Sequence, residues 1–216
     1  MDFLIPILIA AVPVLFAITL HEVAHGYVAK LHGDPTAASL GRLSLNPLKH
    51  ISLVGTVLVP IILIKMTGVA FGWAKPVPVR FDQLNNPKKD MIKVAAAGPF
   101  ANFLMLLCWV AVAKLTLVFV ADASISREVL LSMSMIGIFI NLILIIINLI
   151  PVPPLDGGRV LSGLVSDEAA KILRKIEPYG IFIVFGLIYY LVKTGHLDRS
   201  LNYITSMLGK IFGISI

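Results

Sequence analysis

The stretch TLHEVAHG, residues 19–26, lies near the end of an apolar run that begins at Phe3. It contains the pattern His-Glu-x-x-His. Residues four apart lie on one face of a helix, so His21 and His25 can each direct a ring nitrogen to the same zinc ion. Glu22 then projects beside the metal, where its carboxylate can accept a proton from zinc-bound water. This stretch therefore predicts a zinc site with a general base.

The alternative interpretation of these residues is structural: two histidines and a glutamate whose polar groups are satisfied inside a helix bundle. Ionisable groups are costly within an apolar run of membrane length, and where they occur they usually serve a function. This cost favours the metal site.

The composition is that of an integral membrane protein. Of the 216 residues, 58% are hydrophobic and 14% are charged, whereas a soluble domain carries about a quarter charged residues. The net charge of +6 is better explained by topology and anionic lipid than by a nucleic-acid partner, which we do not expect. The single cysteine, Cys108, excludes an intramolecular disulfide. The length fits one membrane-embedded domain over residues 1–216, with a core over 1–160 and a C-terminal span and interfacial helix over 161–216.

The hydrophobic runs predict an all-α polytopic membrane protein, a bundle of about five to six transmembrane helices with short extended or β segments near the HEVAH motif. Clear spans are expected at residues 3–31, 91–119, 128–150 and 179–194. The run Ile51–Ile64 is short for a span, so it is either re-entrant or crosses with local thinning of the bilayer. Pro178 is expected to end an amphipathic helix, and the tail from Leu201 to form an interfacial helix.

Two polar stretches are expected to be extended. Residues 38–45 partly alternate between apolar and polar side chains, which is typical of a short strand. Residues 72–79 contain prolines at 76 and 78, and each proline moves the residue before it out of the helical region.

Basic residues predict the orientation of the chain. Lys and Arg number three in residues 30–50, six in 65–93 and four in 151–177, with none before the first span. Because basic loops favour the cytoplasmic side, the N-terminus is expected outside, and the HEVAH motif and Asp156 toward the cytoplasmic face of the cell membrane. In this topology the run Ile51–Ile64 does not cross.

A catalytic zinc site needs a third protein ligand and one open position. The candidates are His32, His50, His196, Glu128 and the aspartates. Asp156 is favoured because a proline-rich break precedes it and Gly157-Gly158 let the backbone turn tightly. Irregular backbone near membrane depth is tolerated where it is buried or lines a wet cavity. A solvated loop aspartate is the alternative at this position.

Three motifs together resemble the site-2 protease family of intramembrane zinc metalloproteases. They are HEVAH at residues 21–25, GPFAN at 98–102 and NLIPVPPLDG at 148–157. The NPLKHI loop at 46–51 and the stretch 72–79 look like the compact bacterial and archaeal branch, and no inserted stretch is long enough for a PDZ or a CBS pair. The resemblance covers about residues 1–160. Many relatives read Asp-Pro after His-Ile where this chain has Ser52-Leu53, which weakens any role for that loop.

The resemblance implies a zinc-dependent intramembrane endopeptidase that holds one zinc per chain. It implies that His21, His25 and Asp156 bind the zinc, that Glu22 is the catalytic acid and base, and that Asn148 lies near the scissile segment. The implied substrates are membrane proteins or peptides, cut in or near their transmembrane segments as in regulated intramembrane proteolysis.

The stretch 72–79 is expected to contact this substrate. A transmembrane helix must unwind before its carbonyls can react, and an extended stretch can bind the unwound chain as an added strand. Trp73, Lys75 and Pro76 are the expected substrate contacts within it. A mere connecting loop is the alternative.

Two other functions stay open for this sequence. A membrane metal-ion transporter could use intramembrane His, Glu and Asp as an ion path, but it should show broken helices in repeated halves, and no internal repeat is found. A catalytically silent membrane binding protein is the other alternative, against which the intact Glu22 argues. Asn102 and Asn141 are expected to form hydrogen bonds between helices rather than to perform chemistry.

Overall fold

The computed structural model describes residues 4–59, 61–62, 65, 72 and 74–212. The described chain is built from α-helices: α1 (Leu4–Leu31), α2 (Thr36–Ser39), α3 (Pro87–Phe119), α4 (Ile125–Asn148), α5 (Asp156–Leu164), α6 (Asp167–Lys193) and α7 (His196–Phe212). Single 3₁₀ turns at Pro47–Lys49 and Phe81–Gln83 and a π-helix at Leu53–Leu58 lie in the connection between α2 and α3.

The helix ends follow local sequence signals. Pro87 occupies the first turn of α3, where its missing N–H is not needed. The side chains of Ser124 and Ser166 cap α4 and α6 by accepting hydrogen bonds from backbone N–H groups in the first turn. Gly33, with φ of +104°, follows the end of α1 in the left-handed region that glycine tolerates best.

The centre of the bundle is α3, which contacts α1, α4 and α5, while α1 also contacts α4. Leu106, Val110 and Ala113 of α3 pack against Ile138 and Leu142 of α4 to form the main apolar core. Many large apolar side chains on the outer surfaces of the helices are exposed. The bundle therefore presents apolar surface outward, as a protein embedded in lipid does.

The number of membrane-crossing helices is lower than predicted. Of the described helices, α1, α3 and α4 are long and apolar enough to cross a membrane, and α6 makes a fourth if its two bent halves form one span. Pro178 lies within α6 instead of ending a helix, and the axis bends by 69° between Gly180 and Phe182. The last predicted span, residues 179–194, is therefore the second half of α6, a helix that begins among charged residues. Helix α7 has 17 residues and is not among the described helices long enough to cross a membrane.

The run Ile51–Ile64 is described in part. It contains the π-helix Leu53–Leu58, followed by helical residues at 59, 61 and 62. Residues 60, 63 and 64 lie outside the described residues, so the choice between a re-entrant and a spanning segment stays a prediction.

The strand expected over residues 38–45 is wrong. One helical turn, α2, ends at Ser39, and residues 42–46 have no regular structure. The apolar side chains of Ala37 and Leu43 pack against Gly26 of α1. Leu43 of this stretch therefore packs on a helix, while Leu40 and Leu45 are exposed.

Residues 74–80, called the extended segment below, are non-helical as predicted, and no β-ladder involves them among the described residues. Three backbone N–H groups hold the segment in place. Lys75 N donates to His50 O at 2.9 Å, Val77 N donates to a carboxylate of α1, and Arg80 N donates to Asp34 Oδ2 at 2.6 Å. The Asp34 side chain is fully buried and also accepts from Thr36 N at 2.9 Å. The segment is thus held against α1 and the loop that follows it.

Candidate metal centre and active site

Three potential metal ligands converge at the junction of α1 and α5. His21 and His25 lie one turn apart on α1, and Asp156 is the first residue of α5. The Nε2 atoms of the two histidines are 3.1 Å apart, and Oδ2 of Asp156 lies 3.3 Å from each of them. The three residues form the one such cluster of His, Cys, Asp and Glu found among the described residues.

The geometry of this cluster fits zinc. Zinc in a tetrahedral site has bonds of about 2.0–2.1 Å, which places neighbouring ligand atoms about 3.3 Å apart. Oδ2 of Asp156 is buried and has no hydrogen-bond partner among the described residues, which is a costly arrangement unless a cation satisfies it. Three protein ligands leave one coordination position for water or substrate, as catalytic zinc sites require.

The ring of His25 is oriented by the backbone of α3. Its Nδ1 lies 2.7 Å from the carbonyl oxygen of Val94. A carbonyl oxygen can only accept, so Nδ1 carries the hydrogen and the neutral ring directs the Nε2 lone pair to the centre of the cluster.

Asp156 is positioned by close packing and not by a tight glycine turn. Gly157 and Gly158 lie in the first turn of α5, and neither has a positive φ. A Cβ on Gly157 would lie 2.6 Å from the carbonyl oxygen of Ile150, and one on Gly158 would lie 2.7 Å from Cα of Pro153. The proline-rich turn therefore packs directly onto the start of α5, and only glycine leaves room for it.

The charge of Asp156 suits a metal ligand. Burial by itself raises the pKa of this carboxyl, but the His21 and His25 rings beside it outweigh burial and hold the pKa well below its usual range. The carboxylate is therefore ionised at neutral pH.

Glu22 faces the same cavity as the three ligands. Its Oε2 accepts a hydrogen bond of 2.7 Å from the N–H of Val77 in the extended segment. The cavity has a volume of about 330 Å³. It is lined by His21, Glu22, His25, Pro76, Val77, Val79, Phe81, Asn148, Asp156 and Arg159, among others.

Of the four residues expected to contact the substrate, two line the cavity. Asn148 and Pro76 line the cavity, and Nδ2 of Asn148 donates to the carbonyl of Leu144 at 3.0 Å. Lys75 is exposed and does not line the cavity, although it belongs to the extended segment. Trp73 lies outside the described residues. The roles of all four in substrate binding stay predictions.

The other candidate ligands lie away from the cluster. Nε2 of His50 is 2.8 Å from the carbonyl of Ser44, Nδ1 of His32 is 2.9 Å from the carbonyl of Val28, and Nδ1 of His196 is 2.7 Å from a threonine hydroxyl. Glu128 is exposed in the first turn of α4. These contacts give the three histidines local structural roles.

Arg159 is a site residue that the sequence interpretation missed. Its guanidinium carbon lies 4.9 Å from the centre of the Phe81 ring, and both side chains line the cavity. Arg159 follows Asp156 by three residues, so the two lie on one face of α5. This three-residue spacing from Asp156 was the feature of the sequence that could have identified Arg159 as a site residue.

Gly98 of α3 lies directly against the two imidazole rings. A Cβ at this position would be 2.6 Å from Cε1 of both His21 and His25, and closer still to Nε2 of His25. Gly98→Ala is therefore expected to displace the rings and to weaken Zn²⁺ binding by about 10- to 100-fold or more. Competitive titration with a chromophoric chelator measures this affinity.

Gly186 provides the matched control for this substitution. It is also a helical glycine, but a Cβ there would meet nothing within 4 Å. Gly186→Ala should bind Zn²⁺ like the wild type, and equal affinities in both variants would contradict the close contact at Gly98.

Comparison with known proteins identifies the family. The profile described as "Peptidase family M50" matches residues 114–191, which include Asn148 and Asp156. The chain is 36% identical over 193 residues to "Putative zinc metalloprotease YwhC" of Bacillus subtilis, covering 86% of this chain and 81% of that protein. It is 28% identical over 175 residues to "Putative zinc metalloprotease Rip2" of Mycolicibacterium smegmatis, covering 81% of this chain and 64% of that protein. No solved structure gave a significant match.

The extent of the match to YwhC shows the family, and the predicted resemblance is confirmed. The apolar helices agree with a protein that crosses the membrane several times. The chain therefore belongs to peptidase family M50, the site-2 protease family, and is a multi-pass membrane zinc metalloprotease.

Proposed function

We propose that this protein is an intramembrane endopeptidase that holds one zinc ion and cleaves membrane-protein substrates in or near their transmembrane segments. The observation that carries the proposal is the convergence of His21, His25 and Asp156, with Glu22 beside them, in a cavity at the end of apolar helices. A water-accessible metal site set among lipid-exposed helices suits a peptide bond that lies in the membrane.

In the proposed mechanism His21, His25 and Asp156 hold the zinc, which when bound supplies Lewis-acid polarisation of a carbonyl and acidifies water. Glu22 accepts the proton of the attacking water and then delivers it to the leaving amine. The hydrogen bond from Val77 N–H holds Oε2 of Glu22. This contact leaves Oε1 free to bind the water.

The extended segment is proposed to bind the unwound substrate as an added strand. Residues two apart in an extended chain direct their backbone groups to the same side, so Val79 shares the side on which Val77 N–H meets Glu22. The carbonyl of Val77 and the N–H of Val79 make no hydrogen bond with another described residue. Pro76 and Pro78 lack an N–H, which limits pairing on the opposite side. Both valines line the cavity.

Val79→Pro tests this pairing. The substitution removes one N–H while keeping a backbone conformation that an extended chain allows. Loss of one hydrogen bond to the substrate is expected to lower kcat/KM by about five- to tenfold and to leave zinc content unchanged. Val79→Ala, which keeps the N–H, is the control. The strand proposal fails if Val79→Pro cleaves like the wild type or if both variants lose activity equally.

We propose that the active site lies toward the cytoplasmic face of the cell membrane. The connections on the side of the metal cluster carry most of the basic residues, and basic loops favour the cytoplasmic side. The loop between α3 and α4, residues 120–124, then lies outside. An alkaline phosphatase fused at this loop should be active, and an inactive fusion would reverse the orientation.

The experiment that tests the function uses the purified chain in liposomes with a co-reconstituted transmembrane substrate peptide and a Zn²⁺-sensitive dye in the lumen. The endopeptidase proposal predicts cleavage products, identified by mass spectrometry, and no protein-dependent entry of Zn²⁺. Entry of Zn²⁺ without cleavage of any peptide in a panel would favour the transporter. Zinc binding with neither cleavage nor transport would favour the silent binding protein.

A further inference from the structure

Two buried amide side chains connect the metal cluster to the helix bundle. Asn102 of α3 and Asn141 of α4 are both fully buried. Oδ1 of Asn102 lies 2.6 Å from Nδ1 of His21, and Nδ2 of Asn102 donates to Oδ1 of Asn141 at 2.8 Å. We call Asn102 and Asn141 the amide relay. It joins α1, α3 and α4 at the level of the cluster.

Backbone carbonyls determine the direction of every hydrogen bond in the amide relay. Nδ2 of Asn141 donates to the carbonyl of Gly137 at 2.8 Å, and Nδ2 of Asn102 also donates to the carbonyl of Ala17 at 3.2 Å. A carbonyl oxygen can only accept, so the nitrogen of each amide must face its carbonyl. The oxygen of Asn141 then faces Asn102, and the oxygen of Asn102 faces His21.

This direction determines the tautomer of His21. Because Asn102 presents an oxygen, Nδ1 of His21 must carry the hydrogen, and the neutral ring then has its lone pair on Nε2. Nε2 is the atom that lies 3.1 Å from Nε2 of His25 and 3.3 Å from Oδ2 of Asp156. A flipped amide at Asn102 would instead favour the tautomer that cannot bind a metal through Nε2.

We infer that Asn102 is a positioning residue that holds His21 in its metal-binding tautomer, and that Asn141 acts on His21 through Asn102. The inference rests on the proposed metal site. His25 obtains the same tautomer from a backbone carbonyl, so His21 is the histidine of the pair whose partner can be changed by mutation.

The far end of the amide relay is shielded from water. The indole ring of Trp109 packs against Gly137, where a Cβ would lie 2.5 Å from Cδ1 of the ring. In such apolar surroundings an unpaired amide is costly. The relay therefore has few other ways to satisfy its hydrogen bonds, which keeps its direction well defined.

The bundle also contains a matched control for a buried polar group. The hydroxyl of Ser134 is fully buried in α4 and donates to the carbonyl of Leu130 in its own helix at 2.7 Å. Among the described residues, its hydroxyl makes no hydrogen bond with His21 or with the amide relay. Ser134→Ala thus removes one buried hydrogen bond without touching the relay.

The test measures Zn²⁺ affinity and the Co²⁺ absorption spectrum of the full chain in detergent for Asn102→Ala, Asn141→Ala, the double variant and Ser134→Ala. Asn102→Ala is expected to bind Zn²⁺ about 10- to 100-fold more weakly, and Asn141→Ala is expected to show a smaller loss in the same direction. The double variant should equal Asn102→Ala, because Asn141 has no other route to His21. Ser134→Ala should match the wild type.

A second measurement reports the tautomer without metal or activity. The ¹⁵N shifts of the His21 ring in the metal-free protein at alkaline pH should show hydrogen on Nδ1 in the wild type and a mixture of tautomers in Asn102→Ala. If Asn102→Ala does not fold, Asn141→Ala, which keeps the Asn102–His21 contact, supplies the same two readouts.

Three outcomes would overturn the inference. They are unchanged Zn²⁺ affinity and tautomer in Asn102→Ala, additive losses in the double variant, and an equal loss in Ser134→Ala. If the wild type itself binds no Zn²⁺, the proposed metal site fails as well. If the wild type binds Zn²⁺ and the relay variants do too, only the role of the relay fails.

Discussion

Glu22→Gln is expected to retain zinc and to lose peptidase activity by between about 10²- and 10⁴-fold. The amide keeps the size of the carboxylate, and its oxygen can still accept the hydrogen bond from Val77 N–H, which measures 2.7 Å. It cannot take a proton from water, so the general base is lost while the shape of the site is preserved. Single-turnover cleavage of a transmembrane peptide, with zinc content determined on the same sample, measures both quantities.

Glu128→Gln is the matched control for this substitution. Glu128 is exposed in the first turn of α4, at the far end of the bundle from the metal cluster. The Glu128→Gln variant should cleave the peptide at the rate of the wild type. Cleavage by Glu22→Gln at a rate within a few-fold of the wild type would remove Glu22 from the mechanism. Loss of zinc from Glu22→Gln would instead assign it a role in the metal site.

Asp156→Ala is expected to lose zinc and, as a consequence, activity. Loss of an outer-shell partner weakens metal binding by about 10- to 100-fold, so loss of a ligand should exceed that range. Two histidines would remain, with their Nε2 atoms 3.1 Å apart, which is too few ligands for a catalytic zinc site. Zn²⁺ should raise the unfolding temperature of the wild type and not that of the variant, because a ligand stabilises a protein according to its affinity for the folded state.

Asp167→Ala controls for the loss of an aspartate near α5. Asp167 is exposed and forms a 2.8 Å ion pair with Lys88, away from the cluster. Exposed ion pairs contribute little stability, so this variant should keep its zinc and its activity. Normal zinc content in Asp156→Ala would mean that another residue is the third ligand.

Together the Glu22 and Asp156 variants separate chemistry from metal binding. The proposed mechanism requires one inactive variant with zinc and one inactive variant without zinc. A transporter would give a different result, since Zn²⁺ flux needs the ligands and does not need a general base.

Local sequence patterns predicted much of this molecule. Helices α1, α3 and α4 were predicted because each contains an apolar run long enough to cross a membrane, although α3 and α4 begin three to four residues before the predicted spans. The pairing of His21 with His25 follows from the four-residue spacing on one helix, which any helix imposes. The family followed from three motifs and is confirmed by the comparison with YwhC.

The predictions that were wrong depended on distant contacts. The alternation at residues 38–45 suggested a strand, but Leu43 packs on Gly26 of α1, while Leu40 and Leu45 are exposed. Pro178 was expected to end a helix, but α6 continues through it and bends. A proline removes one backbone hydrogen bond from a helix, and its position can be read from the sequence. Whether the helix ends or bends at that point depends on the tertiary packing.

The sequence by itself determined the membrane class, the apolar helices, the two histidines with Glu22, and the family. Only the tertiary structure placed Asp156 beside the histidines, Val77 on Glu22, Gly98 against the imidazoles, and Asn102 between His21 and Asn141. The physical reason is that the geometry of the helical backbone fixes the relative positions of residues within one helix, so these positions can be predicted from the sequence alone. Contacts between helices depend on how the helices rotate and approach one another, and that is decided by the packing of the whole bundle.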